Sequence, residues 1–206
     1  MLAALAASLS WTSVASADVW SVAPRVGDHT GMFLRMAAGF AAPRLSSSTG
    51  VDANVGGPGV LWDIAVGWSV APSMALHVGY FGTRPIVPKL QLGNAQARSS
   101  DEAEALLSGL AFGATFHLPL NIYVSPSLGV ALVVGTDTHG SAPQRDVFDP
   151  GLAAALDIGW EFWVSPQWAL GVAIKTSYYF VRDDDAASER TWHGIAGGPL
   201  FTATFN

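Results

Sequence analysis

LAAALDIGWEFWVSPQWALGVAIKTSYYF, residues Leu152–Phe180, decides how the rest of the chain is read. From Leu152 to Val164 the even positions are Leu, Ala, Leu, Ile, Trp, Phe and Val, while the odd positions from Ala153 include Asp157, Gly159, Glu161 and Trp163. After Ser165-Pro166-Gln167 the alternation resumes. Trp168, Leu170, Val172, Ile174, Tyr178 and Phe180 fall on one face, and Ala169, Gly171, Ala173, Lys175, Ser177 and Tyr179 on the other. A two-residue period on both sides of a short proline turn predicts a β-hairpin. Each arm reaches the ~9–11 residues that a tilted strand needs to cross a bilayer. Trp160, Phe162 and Trp168 near the turn, with Tyr178 and Phe180 far from it, bracket the aliphatic residues as the aromatic girdles of a membrane strand do.

Composition points the same way. Half of the 206 residues are hydrophobic and 13% are charged, yet beyond the N-terminus no run of ~18 apolar residues suits a helical span, so strands must carry any membrane contact. The absence of cysteine excludes disulfides, thiolate metal sites and a cysteine nucleophile. A net charge of −6 speaks against nucleic-acid binding, which needs a basic patch to displace counterions. Met1–Ala17 carries no charge and ends Ala15-Ser16-Ala17, which predicts a secretory signal cut before Asp18. Residues 18–30 read as an irregular lead-in, and residues 31–206 as one barrel domain.

Applied along the chain, the same alternation predicts further strands at Gly31–Ala41, Gly59–Val70, Met74–Thr83, Ala105–Leu118, Ile122–Gly135 and His193–Phe205. Pro126 weakens the strand that holds it, because proline has no ladder N–H. Four polar stretches, Leu45–Pro58, Arg84–Glu104, Thr136–Pro150 and Val181–Trp192, read as long loops, and they alternate with tight turns at Pro72, Pro119 and Pro166. Arg35, Asp63, His77, His117, Asp157, Glu161 and Lys175 all lie on the face opposite the large apolar side chains, and that face is otherwise rich in Gly and Ala. Small residues suit the narrow lumen of an eight-stranded barrel, and a charge facing lipid near midplane costs ~2–4 kcal/mol. The expected architecture is therefore all-β: an eight-stranded antiparallel up-and-down transmembrane β-barrel with its apolar face outward.

At this point the chain resembles the small outer-membrane barrels of Gram-negative bacteria, of the OmpA transmembrane-domain and OmpX type. The resemblance spans Gly31–Asn206 and rests on pattern; the final LFTATFN places an aromatic, Phe205, one residue before the end, near where that family carries its assembly signal. It implies an outer-membrane location and contact with membrane lipids, lipopolysaccharide and the outer-membrane assembly machinery. It names no surface partner and carries no specific activity across.

For the lumen the sequence suggests a charge network of Arg35, Asp63, Asp157, Glu161 and Lys175. Asp157 and Lys175 lie equally far from Pro166 and are expected to pair, and Arg35 is expected to reach Asp63 on the neighbouring strand. No catalytic, cofactor or metal site is expected. Asp183-Asp184-Asp185 lacks the ligand spacing of a calcium loop and reads as a solvated tip. His139-Gly140-Ser141, the one close His/Ser pair among carboxylates, reads as turn chemistry, and Gly56-Gly57 and Gly197-Gly198 match no phosphate loop. The leading expectation is a non-enzymatic envelope protein acting through its four loops. The alternatives are an OmpW-like conduit for small hydrophobic molecules and a lipid A-modifying enzyme using His139.

Overall fold

The computed structural model describes residues 29, 31–47, 53–92, 98–99, 103–137, 144–147, 149–183 and 190–206. Its wall consists of eight long strands: β1 (Gly31–Ala41), β2 (Gly59–Ala71), β3 (Met74–Pro85), β4 (Ala103–Leu118), β5 (Ile122–Asp137), β6 (Gly151–Trp163), β7 (Trp168–Asp183) and β8 (Arg190–Phe205). Each pairs antiparallel with the next in chain order, and Leu200–Phe205 of β8 returns to Leu34–Gly39 of β1, which closes the barrel.

The register explains why closure preserves the two faces. Directly opposed residues run round the wall through Arg35, Ala65, Gly79, Ala111, Gly129, Ala153, Tyr179 and Gly194, and return to the continuation of the first strand at Leu45, an even offset of ten residues. An even offset returns inward positions to inward positions. A stagger of this kind tilts the strands by ~35–45° from the barrel axis. The outward positions are large, apolar and exposed, as at Phe112 (77%) and Phe201 (72%), whereas Lys175, on the inward face, is fully buried. That is the inverse of a water-soluble barrel, and it suits a hydrocarbon surround, since closed barrels leave no backbone group unpaired there.

The three short connections have local causes. Pro72-Ser73 turns β2 into β3. Between β4 and β5, Pro119–Asn121 makes one 3-10 turn, in which Leu120 (φ 66) and Asn121 (φ 60) take left-handed backbone. Between β6 and β7 the Ser165 hydroxyl accepts the N–H groups of Gln167 and Trp168 at 3.3 and 3.0 Å.

The long connections differ from expectation, because the ladder does not stop where the sequence turns polar. β1 continues past Ala42-Pro43 as Arg44–Ser47, β2 is preceded across Gly57-Pro58 by Ala53–Gly56, and β3 continues past Ile86–Pro88 as Lys89–Leu92. These segments pair with one another and with Trp192–Ile195 of β8. Arg98–Ser99 pairs with Lys89-Leu90, and Gln144–Val147 with β5. Polar composition therefore marks where the wall leaves the apolar layer, and proline marks where it bends. The bends lie side by side: Gly57 N–H donates to the Pro43 carbonyl (3.3 Å), Ile86 N–H to the Pro58 carbonyl (2.8 Å), and Ala42 N–H to the Gly197 carbonyl (3.1 Å). A second consequence is that Arg84 and Arg182, placed in loops by sequence, belong to β3 and β7 and face outward. At Pro126 the ladder between β4 and β5 is interrupted between the pairs Gly113/Ser127 and Phe116/Val124.

Candidate functional site

Inward positions of all eight strands contribute to one buried cluster. Asp157 on β6 stands directly opposite Lys175 on β7 and, on its other side, Ser125 on β5. Lys175 Nζ lies 3.0 Å from both carboxylate oxygens of Asp157 and 2.6 Å from Asp63 Oδ2, so one ammonium bridges carboxylates from opposite parts of the wall. Its stem crosses the lumen to reach them, and the ammonium rests 4.6 Å from the centre of the Phe81 ring. Arg35 Nη2 donates to Asp157 Oδ2 (3.2 Å) and Ser125 Oγ (3.0 Å), and Nη1 to Thr115 Oγ1 (3.4 Å). Its guanidinium stacks over Tyr123 at 4.9 Å.

The sequence expectation that Arg35 reaches Asp63 is corrected. Arg35 stands opposite Ala65 and Asp63 opposite Ala37. In so narrow a bore a long side chain meets the far wall as readily as its neighbour, and Arg35 pairs with Asp157. Glu161 is buried lower on β6 and accepts the Thr204 hydroxyl. Four polar residues outside the charge network expected from sequence complete the cluster: Thr115 and Ser125, 2.9 Å apart, His77, whose Nε2 is 3.2 Å from Ser125, and Thr204. Their only sequence signal is that hydroxyls and an imidazole fall on inward positions. Two cations and two carboxylates meet in the centre, so the buried charge is balanced, as burial requires.

Above the network, toward the long connections, the lumen turns apolar. Leu45, Leu107, Val133, Tyr179, Val181 and Trp192 pack in one buried cluster. Below it, at the short-turn end, a cavity of about 370 Å³ is bordered by Glu161, His117, Trp163 and His29. The His29 and His117 rings stack 3.2 Å apart across its edge. Among the described residues no group of three or more His, Asp or Glu is arranged to hold a metal ion. His139-Gly140-Ser141 and Asp184-Asp185 lie outside the described residues, as do 1–28.

No family model and no curated protein matches this chain. Among solved structures it is similar to the outer membrane protein OprG from Pseudomonas aeruginosa, with 10% identity over 88% of this chain and 99% of that one and a TM-score of 0.51. Neisserial surface protein A overlaps 85% of this chain and 97% of its own at 14% identity, with a TM-score of 0.49. At such low identity the likeness is one of architecture. The apolar exterior, the even stagger and this likeness agree: the fold is that of a small, eight-stranded outer-membrane β-barrel.

Proposed function

We propose that this chain is an outer-membrane barrel of a Gram-negative cell, sealed through its lumen, with a structural or surface-contact role exercised at its long-loop end. The observation that carries this reading is the stacking of two fillings in one bore: the Arg35–Asp157–Lys175–Asp63 network and, above it, the cluster around Trp192 and Leu107. Eight strands leave an interior only wide enough for side chains, and here side chains occupy it. Lipids, lipopolysaccharide and the assembly machinery are the partners this reading requires.

The test is single-channel recording of the refolded protein in planar bilayers. A silent membrane is expected, and a reproducible ohmic conductance would sink the sealed-barrel reading. The second reading, a conduit for small hydrophobic molecules, draws on the apolar lining of the upper lumen. Faster entry of an apolar solute into proteoliposomes, without ion conductance, would favour it. A lipid A mass change on expression, lost in His139→Ala, would replace both with an enzymatic role.

A further inference from the structure

The outward-facing cations whose side chains are described are confined to one end and one side of the barrel. Where side chains are described, they are Arg44, Arg84, Lys89 and Arg182, carried by β7, β3 and the continuations of β1 and β3. The outer faces of β4, β5 and β6 carry no described charge, and the three short turns contain no Lys or Arg. Three of these cations share a pattern. Arg44 stands directly opposite Gly56, and Gly56 directly opposite Lys89, so two cations flank a position without a side chain. On its other flank Arg44 faces Ile195, which faces Tyr178. Arg182 lies four residues beyond Tyr178 on β7, with its guanidinium 6.0 Å from the Phe180 ring centre.

Because the stagger climbs toward the long-loop end in the direction β7, β8, β1, β2, β3, Arg44, Arg182 and Lys89 all sit above the Tyr178 girdle, where an apolar layer gives way to headgroups. All three are exposed, and none forms an ion pair with a described residue, in contrast to the paired cations of the lumen. We propose that this row binds the phosphates of a multiply phosphorylated glycolipid of the outer leaflet. The row spans four inter-strand steps, roughly 19 Å, too wide for one phosphodiester and suited to a headgroup with separated phosphates. Arginine offers each phosphate a planar pair of donors. Ser46, Asn54 and the Tyr178–His193 pair, whose hydroxyl and ring nitrogen are 2.7 Å apart, lie in or beside the row and supply polar groups for the sugar.

The site rests on the membrane reading above, so the experiment scores the two separately. The barrel is placed in phosphatidylcholine nanodiscs, and binding of diphosphorylated lipid A is compared with that of the same lipid stripped of phosphate. Wild type is expected to prefer the phosphorylated form in a salt-sensitive way. The triple variant Arg44→Ala, Lys89→Ala, Arg182→Ala is expected to lose roughly tenfold or more, and Arg44→Lys with Arg182→Lys to lose far less. Equal binding of both lipids, an unaltered triple variant, or displacement by millimolar inorganic phosphate would overturn the site. Failure of the wild type to enter the nanodisc would instead overturn the membrane reading.

Discussion

At the scale of single residues, Lys175 has the greatest consequence. Among the described residues it is the one group that touches both Asp63 and Asp157, and its side chain is 1% exposed. Lys175→Met would leave two buried carboxylates to Arg35, which reaches only Asp157. Stranding a buried charge costs ~3–5 kcal/mol, whereas removing charges as a matched set costs little. The unfolding midpoint in detergent, read from the mobility shift between folded and heated protein, should therefore drop sharply in Lys175→Met. Adding Asp63→Asn should restore much of the loss, because Arg35 and Asp157 then remain as a balanced pair. A double variant no better than the single would show that the network does not hold the lumen as charges.

At the scale of elements, the seam where β8 meets β1 shows what a strand-by-strand reading can and cannot provide. A Cβ added at Gly198 would collide with the Phe40 carbonyl oxygen, so the backbones approach more closely there than any side chain allows. Gly198→Val should force the closing pair apart and lower stability by ~1–3 kcal/mol, as overpacking does, while the same change at Gly197, where an added Cβ comes no nearer than the Lys175 carbonyl oxygen at 3.2 Å, should cost less. Equal loss at both positions, in the same gel assay, would contradict the seam geometry. The eight strands and their inward faces were legible in the sequence because one side of each touches an apolar medium and imposes a period of two, visible at Leu152–Val164. The short strands at Arg44–Ser47, Ala53–Gly56 and Lys89–Leu92 were not, since above the apolar layer both faces tolerate polar residues and the period is lost. For the same reason the faces of Arg84 and Arg182 could not be assigned, and the partner of Arg35 across the bore depends on stagger, which no single strand encodes.

At the scale of the whole molecule, the barrel is polar along its axis. One end is closed by three turns of a few residues around Pro72, Pro119 and Pro166. The other carries the bent wall, the apolar filling and the outward cations. Outer-membrane barrels keep short turns toward the periplasm and long loops outside, so the bent end should face the exterior. The proposed site would require the same orientation, because a row suited to separated phosphates on one headgroup would meet a multiply phosphorylated glycolipid only in the outer leaflet. Digestion of intact cells separates the two orientations, provided the protease suits the turns. Trypsin does not, since none of the three turns contains Lys or Arg, whereas proteinase K accepts Leu120 and Val164 there as readily as sites in the long connections. Mass analysis should then find cuts between Ser47 and Ala53, between Leu92 and Ala103, between Asp137 and Gly151 or between Asp183 and Arg190, and the turns should be cut only after the outer membrane is opened. Cuts at Leu120 or Val164 in intact cells would invert the orientation, and with it the leaflet that Arg44, Lys89 and Arg182 face.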